Sequence, residues 1–244
     1  MNSNPNYRSI PAAQKPSKAH HERDFEKKMA KDPAAKETLW LNSYYPYHLT
    51  NSATTGFLRD MLDRNFGLYI VIGATASGKT TTLNNYIRCS QIDRRGSVIT
   101  ENAQEYTSKS IQIESIEDAV ARRSPYIVID ECRDVELLQD ALMISTLSNV
   151  AITLHCNSIA DLVERFKTDT SLKFGSRNML EKVKGITFAS RSSLGLVQES
   201  IALNPETRKT LIEASRIELP QLIAREINGQ GRATIAQQLD SLRD

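Results

Sequence analysis

The sequence predicts an α/β protein in which a mostly parallel central sheet is flanked by helices. Short apolar runs at 68–72, 126–129 and 150–154 alternate with segments of helical periodicity. The runs show no alternation of polar and apolar residues, which is typical of strands covered on both faces. The segments between them are long enough to be helical crossovers, and such connections favour parallel pairing.

The elements divide the chain into four predicted parts. Residues 1–38 are polar and rich in proline, which predicts a flexible arm, and residues 39–66 form a linker with an aromatic cluster around Trp40. We interpret this cluster as a packing patch in preference to an adenine platform. Residues 67–190 form the predicted core, and residues 191–244 a small helical C-terminal part with helices near 205–215, 220–227 and 233–242. Further strands are predicted at 185–189 and 194–201.

Composition sets limits on function. The chain has 244 residues, 40% of them apolar, and a formal net charge of +2, so there is no general electrostatic preference for nucleic acid. Its three cysteines, Cys89, Cys132 and Cys156, are far apart and form no CxxC pair, which favours a reducing cytoplasm. No apolar run approaches the roughly 20 residues that cross a bilayer, and the polar N-terminus does not resemble a secretion signal.

The most specific motif is GATASGKT at 73–80, which lies between a predicted strand and a predicted helix. It matches the P-loop pattern, in which backbone N–H groups and a helix N-terminus surround phosphate oxygens. Lys79 is expected to contact the β- and γ-phosphates of ATP, and the Thr80 hydroxyl to bind Mg²⁺. The predicted nucleotide-binding residues are Gly73, Ala74, Thr75, Ala76, Ser77, Gly78, Lys79, Thr80 and Thr81.

A second motif is the apolar run at 126–129, which ends in Asp130 and Glu131. Two carboxylates after a buried strand are typical of a Walker B sequence. Asp130 is predicted to hold Mg²⁺ through water, and Glu131 to polarise the attacking water.

Four segments in order resemble the ATPases of type II and type IV secretion systems, which include the PilT pilus-retraction ATPases. GATASGKTTTL at 73–83 resembles their Walker A sequence, and VITENAQEY at 98–106 their Asp box. IDECRD at 129–134 resembles their Walker B sequence, and TLHCNS at 153–158 their His box. The segment RRSPYIVIDECRD at 122–134 is similar to the branch that serves Dot/Icm and plasmid-conjugation systems. The resemblance implies a RecA-like P-loop NTPase core.

The resemblance also assigns catalytic roles. Glu101 falls at the Asp-box glutamate, a candidate general base, and Glu131 at the Walker B glutamate. His155 matches the His-box histidine, which in the family senses the γ-phosphate. Together with Lys79, these are the predicted catalytic residues.

Several positions depart from the family pattern. Ala74 and Ala76 replace the usual Pro and Gly of the P-loop, Asn102 replaces an Asp, and Asp130 replaces a Gly. Only 72 residues precede the P-loop, so the family's N-terminal domain, which supplies arginines to the nucleotide, is missing or reduced. Substitute arginines are Arg88, Arg94, Arg95, Arg122 and Arg133.

The resemblance implies a motor subunit that couples Mg-ATP hydrolysis to conformational change in a homo-oligomer, a hexameric ring. The ring is expected to lie in the cytoplasm, peripheral to the bacterial inner membrane, on components of a type IV secretion, conjugation, pilus or type II secretion machine. Sequence-specific nucleic acid binding is not expected. The alternatives are a nucleotide-binding assembly factor with little turnover and a RecA-like DNA motor.

Overall fold

In the part of the chain that the structure describes, a seven-stranded sheet has the strand order β3-β2-β4-β5-β1-β6-β7. All neighbouring pairs are parallel except β6 and β7, which are antiparallel. The prediction of an α/β fold with a mostly parallel sheet is therefore confirmed. The strands are β1 (Gly67–Ile72), β2 (Ser97–Ile99), β3 (Ile111–Gln112), β4 (Tyr126–Ile129), β5 (Asn149–Leu154), β6 (Val183–Ser192) and β7 (Gly195–Ala202).

The computed structural model describes residues 57, 61, 66–89, 97–99, 111–112, 115–168, 180–192 and 195–241. The predicted arm at 1–38, most of the linker with its aromatic cluster, and the Asp-box residues Glu101 and Asn102 lie outside this part. The helices of the described part are α1 (Lys79–Cys89), α2 (Ile116–Ala121), α3 (Val135–Ile144), α4 (Ile159–Thr168), α5 (Pro205–Glu213), α6 (Leu219–Gly229) and α7 (Ile235–Ser241). No helix in these ranges combines the length and apolarity needed to cross a membrane.

Helices cover both faces of the sheet, as the unalternated apolar runs predict. All six residues of β1 are buried. Leu68 and Ile70 point into a large core beneath α3, α4 and α6. Tyr69 and Val71 point into a smaller cluster with Phe57 and Leu83 on the opposite face. Strand β1 is thus fixed from both sides, which makes it a rigid support for the loop that follows it.

Local capping determines where the helices begin. The Asp134 carboxylate accepts a hydrogen bond from the Leu137 N–H at 2.7 Å, which starts α3 directly after the Walker B-like segment. Asn204 caps α5 in the same way, through a 2.7 Å bond from the Thr207 N–H, and Pro205 occupies the first turn.

The sheet continues past residue 190, where the sequence-based division places the end of the core. Strand β7 pairs with β6 from Gly195 to Ala202 in an antiparallel ladder, so the helical part of the C-terminus begins only at α5. Helices α5, α6 and α7 lie close to their predicted positions. The division of the chain into four parts stays a prediction.

Candidate nucleotide-binding site

The loop between β1 and α1 needs glycine at its first position. Gly73 has φ 153°, and a Cβ there would lie 2.4 Å from the Ala189 carbonyl oxygen and 2.3 Å from Ser77 Oγ. A backbone carbonyl in a strand cannot move away, so any side chain at residue 73 would displace the loop. The P-loop therefore lies directly against β6.

The second motif glycine, Gly78, has φ 100°, a conformation that L-residues rarely adopt. A Cβ at this position would approach Leu196 Cδ1 to 2.5 Å. Strand β7 thus contacts the loop where α1 begins. Between the two glycines, Ala74, Thr75 and Ala76 are exposed.

Lys79 provides a buried positive charge at the start of α1. Its side chain is 7% exposed, and its Nζ donates a 2.8 Å hydrogen bond to the Ala74 carbonyl. Burial lowers the pKa of Lys79, while the charges of Glu131 and Asp130 act in the opposite direction. Lys79 forms no ion pair with any of the residues described here. A buried ammonium group without a paired carboxylate favours an anion beside it.

Ser77 is a second group that fits a phosphate. Its Oγ is buried and has no hydrogen-bond partner within the described part of the chain. A buried hydroxyl without a partner is costly, because it has lost its bonds to water. A phosphate oxygen in the loop is an acceptor of the required kind.

The turn after β4, which carries Asp130 and Glu131, is held by Thr153, the fifth residue of β5. The Thr153 hydroxyl donates to Asp130 Oδ1 at 2.9 Å and accepts from the Glu131 N–H at 2.6 Å. Glu131 has φ 57°, which lies in the left-handed region. This backbone conformation costs an L-residue about 1–2 kcal/mol. Because Thr153 fixes this turn, the Asp130 carboxylate and the Glu131 backbone keep a defined position at the carboxyl end of β4.

Glu131 forms an ion pair with Arg133, whose guanidinium donates to Glu131 Oε2. The pair is open to solvent, with the side chains 37% and 61% exposed. This hydrogen bond is the main cause that lowers the pKa of Glu131, slight burial opposes it, and the charges of Arg133, His155 and Lys79 add to the lowering. Glu131 is therefore a carboxylate at neutral pH, near both Lys79 and His155.

The order of the strands explains this convergence. Strand β5 lies between β1 and β4, so the carboxyl ends of the three parallel strands are neighbours. The P-loop follows β1, Asp130 and Glu131 follow β4, and the exposed His155 follows β5. In open α/β sheets, ligands bind at this edge, where the connections diverge to the two sides.

The remaining predicted site residues have different positions. Thr80 is half-buried and Thr81 buried in the first turn of α1. Arg122 ends α2, before β4 begins, and so lies at the opposite edge of the sheet from the P-loop. Among the other candidate arginines, Arg133 pairs with Glu131, whereas Arg94, Arg95 and the side chain of Arg88 are not described.

Magnesium fits the oxygen donors of this edge, provided that phosphate and water supply most of its ligands. Thr80 and Asp130 carry the hydroxyl and carboxylate oxygens that Mg²⁺ prefers. Among the described residues, no group of three or more His, Cys, Asp or Glu side chains is arranged to hold a metal ion. Mg²⁺ commonly binds through one or two protein oxygens together with substrate phosphates.

The two cysteines within the motifs are packed thiols. Burial raises the pKa of Cys132 from its ordinary value of 9.0 to about 12, and burial also raises the pKa of Cys156. Both remain protonated at neutral pH, so neither is a ready nucleophile or metal ligand.

Comparison with known proteins identifies the family. The family described as "Type II/IV secretion system protein" matches residues 36–237. The chain belongs to this family. A curated relative, the putative type II secretion system protein E of Escherichia coli K12, is 29% identical over 123 residues, which cover 45% of this chain and 25% of the relative.

Solved structures of similar fold are ATPases and a motor of secretion and pilus systems. The pilus retraction motor PilT, solved with bound ADP, matches with a TM-score of 0.56 and 24% identity over 76% of this chain and 60% of its own. The ATPase DotB of Legionella pneumophila matches with a TM-score of 0.51 and 19% identity over 75% and 61%. The VirB11 ATPase of Brucella suis, solved in complex with sulphate, matches with a TM-score of 0.50 and 16% identity. This match covers 82% of this chain and 66% of VirB11. These likenesses confirm a RecA-like secretion-ATPase fold.

The family member described here spans about a quarter of the length of its curated relative and about three-fifths of the length of PilT and DotB.

The sequence did not single out Thr153, the residue that fixes the turn carrying Asp130 and Glu131. Its only local signal is a polar residue near the end of an otherwise apolar strand.

Proposed function

We propose that this chain binds ATP with Mg²⁺ and hydrolyses it as a motor subunit of a bacterial secretion, conjugation or pilus machine. The observation that carries the proposal is the meeting of Lys79, Glu131 and His155 at the ends of three adjacent strands. Family membership supports the same conclusion, since relatives of this fold are described as ATPases and as a pilus retraction motor.

The residues of the loop bind the triphosphate in this proposal. Backbone N–H groups from Gly73 to Thr80 and the N-terminus of α1 surround the phosphate oxygens. Lys79 exchanges its bond to the Ala74 carbonyl for a phosphate oxygen, which neutralises its buried charge. Ser77 Oγ gains the acceptor that it lacks. Thr80 and, through water, Asp130 would hold Mg²⁺, which would supply charge neutralisation at the phosphates.

The carboxylates prepare the attacking water. Glu131 is ionised and close to Lys79, so it can orient a water molecule or accept its proton. Its partner Arg133 must turn away or share the carboxylate when the water binds. Glu101, from the Asp box, is proposed as the second base. His155, whose charge acts on the same carboxylate, is proposed to report the γ-phosphate to a neighbouring subunit of a hexameric ring on the inner membrane.

The test is ATP hydrolysis by the full chain, measured alongside its mass in solution with and without nucleotide. Lys79→Ala is expected to abolish nucleotide binding, and Glu131→Gln to retain binding but lower turnover by about 10²–10⁴. Lys209→Ala and Glu206→Gln, two exposed positions on α5, make the same chemical changes away from the site and are the matched controls. Equal activity in Glu131→Gln and wild type would refute the mechanism, and an unchanged mass would refute nucleotide-driven assembly.

A nucleotide-binding assembly factor with little turnover is the second candidate. Two observations favour it: Ala76 has a left-handed backbone within the loop, and Arg133 engages the Glu131 carboxylate. Tight ATP binding by wild type without phosphate release that depends on Glu131 would support this function in place of a motor.

A further inference from the structure

A chain of hydrogen bonds joins the P-loop to the C-terminal helix. The Thr82 hydroxyl donates to the Gly78 carbonyl at 2.9 Å and accepts a hydrogen bond from the side-chain amide of Gln198 on β7. The backbone of Gln198 is in turn bound by the side-chain amide of Gln238 on α7. The Gln238 Oε1 accepts from the Gln198 N–H at 3.4 Å, and the Gln238 Nε2 donates to the Gln198 carbonyl at 2.5 Å.

Gln238 fixes β7 from its open side. Strand β7 is the last strand in the sheet order, and within the described residues no further strand pairs with the backbone groups on its outer side. The Gln238 amide replaces a strand at this point, and its N–H₂ group also donates to the Ala233 carbonyl at 2.9 Å. Strand β7 is therefore held on one side by its ladder with β6 and on the other, at Gln198, by α7.

The Gly78 carbonyl is the point at which this series of hydrogen bonds reaches the candidate nucleotide site. The peptide between Gly78 and Lys79 is planar and trans, so its carbonyl and its N–H point in opposite directions. Thr82 holds the carbonyl toward the body of α1, with its N–H at 3.0 Å and with its hydroxyl. The Lys79 N–H is thereby directed away from the helix, toward the space where a phosphate binds.

We propose that α7 sets the geometry of the P-loop through Gln238, Gln198 and Thr82, and that these are positioning residues for nucleotide binding. The inference rests on the proposed function. It assigns a role to α7 in that function: a partner or neighbouring subunit that pulls α7 from β7 frees Gln198 and weakens the hold on the Gly78 peptide. Packing of Leu196 against Gly78 places β7 at the same point of the loop, so a shift of the strand reaches the loop directly.

The chain offers a matched control on the same strand. Gln230 binds the backbone of Ala202 in the same two-bond manner, accepting from its N–H at 2.8 Å and donating to its carbonyl at 3.0 Å. Ala202 is at the end of β7 far from the P-loop, because β7 runs antiparallel to β6. Gln230→Ala therefore removes an equivalent contact with the backbone of β7. It leaves intact the hydrogen bonds that join Gln238, Gln198, Thr82 and the Gly78 carbonyl, which we call the relay.

The test measures ATP affinity of the full chain by titration with a fluorescent ATP analogue. Gln238→Ala and Gln198→Ala are each expected to weaken binding about two- to tenfold, the effect of one or two hydrogen bonds, while Gln230→Ala leaves it unchanged. The double variant Gln198→Ala/Gln238→Ala is expected to lose little more than either single variant, since both act through one chain. Thr82→Val is expected to weaken binding and Thr82→Ser, which keeps the hydroxyl, to restore it.

Hydrogen exchange of the nucleotide-free protein tests the relay independently of ATP. Amides at 82–84, where α1 begins to donate to its own carbonyls with the Thr82 N–H to the Gly78 carbonyl, are expected to exchange faster in Gln238→Ala and Gln198→Ala than in wild type or Gln230→Ala. Equal exchange in all variants, or equal loss of affinity in Gln230→Ala and Gln238→Ala, would overturn the relay. If wild type does not bind ATP, the proposed function fails, and exchange still decides whether α7 positions the loop.

Discussion

Ala76 has a left-handed backbone in the middle of the P-loop, with φ 59°. An L-residue in this region places its Cβ too close to the neighbouring carbonyl, at a cost of about 1–2 kcal/mol. Glycine has no such cost, and the related ATPases usually have glycine here. We therefore predict that Ala76→Gly stabilises the protein.

The size of the effect follows from two opposing terms. Relief of the backbone strain contributes about 1–2 kcal/mol, while the greater freedom of glycine in the unfolded chain removes about 0.4–1 kcal/mol. The net gain in the free energy of unfolding is about 1 kcal/mol. For a domain of 150–250 residues, this corresponds to a rise in Tm of about 2–4 °C.

Ala74 provides the control within the same loop. It is also exposed, but it is not among the described residues with positive φ. Ala74→Gly changes only the unfolded-chain term and is expected to lower stability by about 0.4–1 kcal/mol. The two substitutions are chemically identical, so the difference between them isolates the strain at residue 76.

The assay is denaturant unfolding of both variants and wild type without nucleotide. The predicted result is opposite signs, separated by about 1–2 kcal/mol. Equal destabilisation by Ala74→Gly and Ala76→Gly would show that Ala76 is unstrained in solution and would refute the reasoning.

Three further predictions concern the buried parts of the protein. Thr187→Val is expected to cost about 1–3 kcal/mol in unfolding experiments, because Thr187 accepts from the Tyr69 hydroxyl at 2.8 Å; a neutral result would contradict a structural role for this bond. Gly73→Ala is expected to cost about 1–3 kcal/mol, since its Cβ meets the Ala189 carbonyl; calorimetry measures the loss, and unchanged stability would mean that the loop takes another path. Because burial raises the pKa of Cys156, its alkylation is expected to be slow at pH 8 and to become faster as the pH increases through the raised pKa. The rate is measured in a variant whose other cysteines are replaced by serine, with the denatured protein as the fast reference. Equal rates in the folded and denatured protein would exclude burial of this thiol. The same raised pKa means that the contribution of this thiol to stability is present below the unfolded pKa and is lost at alkaline pH.

The sequence by itself determined the fold class and the chemistry of the loop. Unalternated apolar runs separated by helical segments are sufficient to predict parallel strands, because strand burial on both faces leaves a local pattern. The spacing of Gly73, Gly78 and Lys79 predicts a phosphate-binding turn for a similar reason, since the turn is made by consecutive residues. Strands followed by Asp130, Glu131 and His155 also predict a shared edge once the sheet is parallel.

Only the tertiary structure decided how these groups are held. Thr153 lies 22 residues from the Glu131 N–H that it binds, and Gln198 lies 116 residues from Thr82. Such contacts join side chains of different elements and leave no periodic trace in the chain. The approach of β6 to Gly73 and of β7 to Gly78 likewise brings together residues that are far apart in the sequence. Local patterns specify which groups reach the edge of the sheet, and packing between distant elements specifies their orientation.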